Sequence, residues 1–378
     1  MERKVVMEII REKEYDTVMK ETVEPYLKKH GKSGYISSYD GIGKIHVMRY
    51  LAEEPKGVIV ICHGYTESAP KYDELAYYFL QAGFHVYLPE HCGHGLSYRL
   101  TKDPSLVHID NWKRYVRDFL HVCEYIRKKH PDLNLNLFAH SMGGAIGGIA
   151  AAWKPEWFYR VILNSPMIRP RTANIPWVIS ASVSGVQCLL GKGGEYVPGQ
   201  HPYDASETFE TSASTSRPRF NRFNNLRKMH KYMQVCAASY GWLFASAEMS
   251  WYLKGIAWKL YRAPMLLIQA EQDDYVCGNE IYRFARHVQR YACVWPGGCT
   301  GSAGDGAAGD MRCRYQSSTR LSSIRAQERG LYDRHRSHGS ARARLLVSQA
   351  HSGVVSCHDR CERRASAPRE AVFVCHGR

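Results

Sequence analysis

A nearly unbroken run of β-branched residues, Gly57-Val58-Ile59-Val60-Ile61-Cys62, is the feature that most constrains the fold. A run without polar alternation is typical of a strand buried on both faces, as in the centre of a parallel sheet. Other strands are predicted at 44–51, 84–88, 133–138, 158–163 and 265–270, and helices at 69–81, 110–130, 142–152 and 280–289. Asp110 is the predicted N-cap of the second of these helices. This alternation predicts an α/β fold built on a mainly parallel sheet with helices on both faces.

The alternation stops between residues 167 and 262, a stretch rich in aromatic, Arg and Asn residues. An insertion between two strands of such a sheet is expected to form a cap over the strand ends, where ligands bind. We therefore predict four parts of the chain. They are an N-terminal helical segment (1–33), an α/β core (34–166 and 263–292), a helical cap (167–262) and a C-terminal tail (293–378).

The segment Leu137-Phe138-Ala139-His140-Ser141-Met142-Gly143-Gly144 lies between a predicted strand and a Gly/Ala-rich helix. A serine on a tight strand-to-helix turn, flanked by small residues, is typical of a nucleophile elbow. Here Ala139 and Gly143 are the small flanking residues, and the N–H of Met142 is expected to point at a reacting carbonyl oxygen. The alternative is a small-residue turn with an incidental serine.

A second turn, His63-Gly64-Tyr65, follows the central strand. Gly64 allows the bend that would make the N–H of Tyr65 a second oxyanion donor. We interpret His63 as a hydrogen-bonding structural residue rather than a base. The loop from His91 to Ser97 is expected to be a turn and not a metal site, because no second ligand cluster accompanies it.

Two adjacent acids follow the late strand at 265–270. Asp273 is the candidate to orient a catalytic histidine and stabilise its cation, and Asp274 is its rival. The chain order of serine before aspartate agrees with the order Ser, Asp, His of one class of hydrolases.

These motifs resemble the monoacylglycerol lipase and bacterial lysophospholipase branch of the α/β-hydrolases over about residues 30–292. The cap segments Pro198–Asp204, Ser216–Phe220 and Tyr240–Leu243 are more similar to the lysophospholipases. The resemblance implies Ser141 as nucleophile, Asp273 as the triad acid, and Tyr65 and Met142 as oxyanion donors. It also implies a lipid with a single acyl ester as substrate, hydrolysed through an acyl-enzyme without cofactor or metal.

The chain departs from that family where the catalytic histidine is expected, after Pro296-Gly297-Gly298. His287 is too close to Asp273, and the later histidines lack the family context; these are His335, His338, His351, His358 and His376. The general-base histidine is therefore unassigned, and the chain as written is expected to have at most trace activity.

The tail differs from the body in composition. Residues 291–378 contain no Lys, 14 Arg and 6 of the 12 Cys. We hypothesise that the reading frame changes near residues 291–298, so that the last strand, the catalytic turn and the final helix are lost. The alternative is a genuine Arg-rich extension that binds an anionic partner. We expect the tail to be poorly ordered, because its apolar residues have no regular period.

The formal net charge of +15 is divided almost equally between the body and this tail, so it does not indicate a nucleic-acid-binding body. The polar, charged N-terminus and the absence of a run of 18 apolar residues predict neither a signal peptide nor a membrane span. We expect a cytoplasmic protein that contacts membranes peripherally through the apolar segment 175–190. The alternatives are a peptidase or thioesterase of the same fold, a catalytically defective product, or a protein that only binds.

Overall fold

The computed structural model describes residues 9–172, 175–262, 264–270, 273–288, 291–295 and 371–373. Within these ranges, nine strands form one sheet and two short strands form another. The strands are β1 Gly31–Ser37, β2 Lys44–Tyr50, β3 Gly57–Cys62, β4 Phe84–Pro89, β5 Leu106–Val107, β6 Leu135–His140, β7 Arg160–Asn164, β8 Ala237–Ala238, β9 Met265–Ile268, β10 Tyr291–Trp295 and β11 Ala371–Phe373.

The main sheet has the spatial order β1-β2-β4-β3-β6-β7-β9-β10-β11. Its pairs from β4 to β10 are parallel, whereas β1, β2 and β11 pair antiparallel with their neighbours. The predicted mainly parallel sheet is thus confirmed. The unbroken apolar run of β3 has a direct cause, because Val58 and Val60 face one hydrophobic core while Ile59 and Ile61 face another.

Helices cover both faces of this sheet. The α-helices are α1 Tyr15–Val18, α2 Glu24–His30, α3 Asp73–Gln81, α4 Trp112–Lys129, α5 Met142–Trp153, α6 Trp177–Leu189, α7 Arg217–Met229, α8 Tyr240–Ile256 and α9 Gly278–His287. Shorter 3-10 turns occur at Glu12–Glu14, Ala69–Tyr72, Pro155–Trp157, Lys231–Met233 and Ala257–Arg262, and a π turn at Met19–Val23. Helices α4, α5 and α9 pack on the larger core, while α1, α2 and α3 pack on the smaller one. No helix in the described ranges combines the length and hydropathy needed to cross a membrane.

Two local predictions need correction. The N-terminal helical segment ends at His30, so residues 31–33 belong to the edge strand β1. The N-cap of α4 is Asn111, whose side chain accepts the N–H of Lys113, and not Asp110. Asp110 instead binds the guanidinium of Arg114 one turn later, with Nε to Oδ1 at 2.7 Å. Asn111 therefore caps the helix, while Asp110 forms an ion pair with its first turn.

The insertion between β7 and β9 contains α6, α7 and α8. Helix α8 does not stand apart from the core, because Trp242, Met249 and Leu253 belong to the larger hydrophobic core. Helix α7 is tied to α3 and the N-terminal segment by buried Arg219. The predicted cap at 167–262 therefore combines a covering layer with a helix that completes the core.

The C-terminal part of the sheet also differs from expectation. Strand β10 pairs in parallel with β9, so a last parallel strand is present and the sheet continues to Trp295 instead of ending at 292. Strand β11 pairs antiparallel with β10. The rest of the tail, with its five histidines and its predicted lack of order, lies outside the described residues.

Candidate active site

Ser141 lies on the turn that joins β6 to α5. Its φ of +51° and ψ of −118° are unusual for a residue with a side chain. The turn is held by its backbone, because the N–H of Ser141 donates to the carbonyl of Asn164 at 3.0 Å and its own carbonyl accepts from Met167 at 2.8 Å. The side chain is half-buried. A strained serine at a strand-to-helix turn is what the motif at 137–144 predicts.

The glycines after Ser141 allow α5 to begin directly against the sheet. A Cβ on Gly143 would lie 2.1 Å from the carbonyl oxygen of Cys62, and a Cβ on Gly144 would lie 2.7 Å from Cα of Pro166. Ala139, in the small position before the serine, is fully buried. A Cβ on Gly147 would come within 2.9 Å of the Cβ of Ala139, so this side chain also has little free space.

The two predicted oxyanion donors share one property. In the described part of the chain, neither the N–H of Tyr65 nor that of Met142 has a hydrogen-bond partner. The flanking N–H groups are used: Gly64 donates to Glu67 at 2.6 Å and Thr66 to the ring of His94 at 3.3 Å. Strands β3 and β6 are adjacent, and the start of α5 contacts the end of β3. The two N–H groups are therefore placed together where the neighbouring strands β3 and β6 end.

Glu67 is a buried carboxylate beneath this turn, and the sequence analysis did not identify it. Its Oε2 accepts from the Tyr72 hydroxyl at 2.5 Å, and its Oε1 lies 3.1 Å from Lys71 and 3.7 Å from the His140 ring. Burial alone would raise its pKa, but the Lys71 ammonium, the His140 ring and the Tyr72 hydrogen bond lower the pKa to about 2. Glu67 therefore stays ionised. It accepts the N–H of Gly64 in the proposed oxyanion turn and lies beside His140, the residue before Ser141. The only feature of the sequence that could have identified Glu67 is its position three residues after Gly64.

The structure separates the two candidate acids. Asp273 is half-buried, and its Oδ1 accepts the N–H groups of Tyr275 and Val276 at 2.9 and 2.8 Å. Burial raises its pKa, partly offset by these N–H groups and by the nearby positive potential of His140 and Arg171. Asp274 is exposed. Asp273 is thus the less exposed of the two carboxylates, and it lies in the loop after β9.

The histidines near the central strand are structural. His63 Nδ1 donates to the carbonyl of Gly64 at 2.8 Å, and its Nε2 accepts the N–H of His91 at 2.9 Å. Burial lowers the pKa of His63, His91 and His94. Among the described residues, no group of His, Cys, Asp and Glu side chains is arranged to hold a metal ion. His287 is exposed and bonded to the carbonyl of Arg283 in its own helix, at 2.7 Å.

Helix α8 reaches the site through one aromatic side chain. The ring of Trp242 packs on that of Tyr65 with centroids 4.3 Å apart, and its Nε1–H donates to the sulfur of Met142 at 3.3 Å. One buried indole thus contacts the side chains of both residues whose N–H groups are unpartnered.

The Ser141 hydroxyl has no hydrogen-bond partner among the described residues. The arrangement contains a strained serine, two available N–H donors and a carboxylate. It supports nucleophilic attack on a carbonyl, with the negative charge received by the N–H groups. A histidine between Ser141 and Asp273 is the group that these ranges do not supply.

Comparison with known proteins identifies the family. The family model described as serine aminopeptidase, S33, matches residues 53–294. Monoglyceride lipase of Mus musculus is 34% identical over 131 residues, which is 34% of this chain and 42% of the relative. Lysophospholipase L2 of Escherichia coli K12 is 35% identical over 133 residues, 35% of this chain and 39% of the relative. The matched stretch thus spans less than half of these relatives, and their names agree with the branch that the motifs predicted.

Solved structures agree on the fold. A carboxyl esterase from Bacillus coagulans, in complex with glycerol, superposes with a TM-score of 0.57 at 19% identity, covering 68% of this chain and 86% of the esterase. Monoacylglycerol lipase from Paleococcus ferrophilus gives 0.50 at 18% identity, covering 65% and 84%. With the family model matching most of the body of the chain, the protein belongs to the serine aminopeptidase S33 family of α/β-hydrolases.

Proposed function

We propose that this chain is a serine ester hydrolase that cleaves the single acyl ester of a lipid, such as a lysophospholipid or a monoacylglycerol. The observation that carries the proposal is the strained turn at Ser141 beside the unpartnered N–H groups of Tyr65 and Met142. Backbone strain held in place by surrounding bonds is characteristic of functional sites.

In the proposed reaction, Ser141 Oγ attacks the ester carbonyl and its proton passes to a general base. The N–H groups of Tyr65 and Met142 stabilise the oxyanion, and each such donor contributes about 10² to 10³ in rate. The alcohol leaves with the proton, and water then releases the acyl group from Ser141. Asp273 is assigned to orient a histidine base, and that histidine is unassigned in this chain.

The substrate class rests on two supports. Relatives named monoglyceride lipase and lysophospholipase L2 match the part of the chain that holds the elbow. Helix α6 also carries a row of exposed apolar side chains at helical spacing; these are Val178, Ile179, Val183, Val186 and Leu189. No charged residue occurs from 173 to 191. The apolar surface of α6 supports a lipid substrate, because the acyl chain must leave a membrane to reach Ser141.

We also propose that this α6 surface binds membranes peripherally, in a cytoplasmic setting. Six cysteines between residues 62 and 277 of the described ranges are free, which is usual for cytoplasmic proteins. Val178→Ser with Leu189→Ser should reduce co-sedimentation with phosphatidylcholine–phosphatidylglycerol vesicles several-fold. Ile42→Ser removes a comparably exposed side chain from a distant turn and is the matched control. Equal loss in both proteins would refute a specific role for α6.

The decisive assay compares this chain with its Ser141→Ala variant on lysophosphatidylcholine and monoacylglycerol, without and with added imidazole. Loss of the base in a serine hydrolase costs about 10⁶ in kcat, so we expect trace Ser141-dependent release of fatty acid. Imidazole should raise it measurably, because a free ring can replace the missing base. A chain encoded in the alternative reading frame, with a histidine after the last strand, should be fully active. Robust Ser141-dependent turnover by the present chain would instead place a tail histidine at the site.

Peptidase activity is the second candidate, and the family description as serine aminopeptidase favours it. The same paired proteins should be tested on aminoacyl p-nitroanilides. Ser141-dependent release of p-nitroaniline exceeding release of fatty acid would select the peptidase over the lipid esterase.

A further inference from the structure

We infer a second acyl-transfer site, formed by Ser33, His46 and Glu90 in a cavity of about 430 Å³ that does not include Ser141. The Oγ of Ser33 lies 2.7 Å from Nε2 of His46, and Nδ1 of His46 lies 2.8 Å from Oε2 of Glu90. Serine, histidine and carboxylate in this hydrogen-bonded order are recognised by geometry and not by chain position.

The proton positions follow from the carboxylate. Glu90 is 1% exposed, and its oxygens accept the N–H groups of Ala69 at 2.8 Å and Leu96 at 2.7 Å. Burial raises its pKa, but the bond to His46 and these N–H groups outweigh burial and lower it. An ionised Glu90 can only accept, so Nδ1 of His46 carries the proton. With that proton on Nδ1, Nε2 is the ring nitrogen placed to accept the hydroxyl proton of Ser33, which is the arrangement of a general base.

The sheet places these groups on one wall of the cavity. Side chains alternate along a strand, so His46, Met48 and Tyr50 of β2 project to the same face. Ser33 pairs with Met48 across the β1–β2 ladder and shares that face. The lining also includes Pro70 from the segment after the oxyanion turn and Tyr232 from the insertion. His46 is 5% exposed whereas Ser33 is exposed, so the hydroxyl is reachable and the base is shielded.

An oxyanion donor is available in the same strand. The bonds from Leu51 to His30 and from Ser38 to Gly43 show that the even residues of β1 form the hydrogen-bonded pairs with β2. The N–H of Ser33 therefore faces the open edge of the sheet, and it has no partner in the described ranges. With one such donor in place of two, turnover slower than that of a complete hydrolase site is expected.

The lining indicates an uncharged ester with a short acyl group. Apolar and aromatic side chains dominate, including Met48, Tyr50 and Tyr232. The acids Glu24 and Asp73 also line the cavity and both bind Arg222, and Lys28 of the same lining supplies a second positive charge. In the reaction, Ser33 Oγ bonds to the carbonyl carbon as its proton moves to His46. The alcohol leaves with that proton, and water then regenerates Ser33 through the same ring.

The test uses the full chain carrying Ser141→Ala, so that the elbow serine cannot contribute. A fluorophosphonate probe followed by peptide mass spectrometry should place the label on Ser33, and p-nitrophenyl acetate should be hydrolysed. Adding Ser33→Ala should lower that hydrolysis by at least about 100-fold, because without the nucleophile the contribution of the general base is lost as well. Ser37→Ala removes an exposed hydroxyl from the same strand and should change nothing.

His46→Gln should abolish labelling, because an amide cannot act as the base; thermal unfolding shows whether this variant is folded. If it is not, Ser33→Ala carries the test, since it removes one exposed hydroxyl. A folded Ser141→Ala protein without label on Ser33 overturns the inference. So does equal labelling in folded His46→Gln, or equal ester turnover in the Ser33→Ala and Ser37→Ala proteins. The outcome is independent of any activity of Ser141.

Discussion

The N–H of Gly64 donates to Oε2 of Glu67 across 2.6 Å, and this bond closes the turn that leaves the next N–H, that of Tyr65, unpartnered. A Cβ at position 64 would lie 2.7 Å from the same oxygen, so the approach requires glycine. The buried Glu67 carboxylate thus fixes the conformation of the proposed oxyanion turn.

Glu67 should make stability depend on acid pH. Its pKa is lowered from 4.5 to about 2, so its contribution is complete above about pH 4.5 and lost as the pH falls toward 2. At neutral pH it is on the order of 3 kcal/mol. Urea unfolding between pH 7 and 2 should show Glu67→Gln less stable at pH 7, with the difference from the parent vanishing near pH 2. Glu53→Gln, with its carboxylate 78% exposed beside Lys29, should shift stability by less than about 1 kcal/mol throughout.

The strain at Ser141 predicts an unusual gain in stability. Ser141→Gly removes the Cβ that disfavours φ +51°, so the free energy of unfolding should rise by about 1 kcal/mol. Ser141→Ala keeps the Cβ and removes only a hydroxyl without a partner in the described ranges, so it should be close to neutral. Denaturant midpoints of the three proteins decide the matter. A loss of stability in the glycine variant would show that the turn is relaxed.

Gly143 and Gly255 should respond in opposite directions to alanine. A Cβ at 143 meets the carbonyl oxygens of Cys62 and His63 at 2.1 and 2.4 Å, so α5 must move and stability should fall by at least about 2 kcal/mol. At exposed Gly255 in α8 nothing lies within 4 Å of the new Cβ. There alanine should add about 0.5 to 1 kcal/mol through helix propensity. Thermal melts of both variants test the pair, and a tolerated Gly143→Ala would mean that α5 does not abut β3.

These residues show which parts of the fold and of the candidate site can be predicted from the sequence. Ser141 and the fold were predictable because the elbow is local and the β3 run requires apolar contacts on both faces. Ser33, His46 and Glu90 come from three separate segments, and only strand pairing brings them together. Glu67 escaped notice because a carboxylate beside a catalytic turn is usually solvated. Its burial depends on Tyr72, Lys71 and His140 being placed around it. The N-cap of α4 falls at Asn111 and not at the predicted Asp110 because Asp and Asn are equally suited to that position, and sequence alone does not distinguish two such neighbours.

The last prediction concerns the buried ion pair that ties α7 to the rest of the chain. Arg219 donates to both oxygens of Glu74, at 2.8 and 2.6 Å, and also to the carbonyl of Ile10 at 3.1 Å, and both charged side chains are nearly fully buried. Removing one partner leaves the other charge buried and uncompensated. Arg219→Met should therefore lower the free energy of unfolding by about 3 to 5 kcal/mol.

Arg217 on the same helix supplies the matched control. Its pair with Glu210 is exposed at both ends, so Arg217→Met should cost less than about 1 kcal/mol. Combining Arg219→Met with Glu74→Leu should restore most of the lost stability, because two apolar side chains then replace the pair. Urea unfolding of the parent and these three variants separates the possibilities. Equal, small effects of Arg219→Met and Arg217→Met would contradict this prediction. They would show that the buried Glu74 carboxylate does not need Arg219 as its partner and that apolar contacts hold α7.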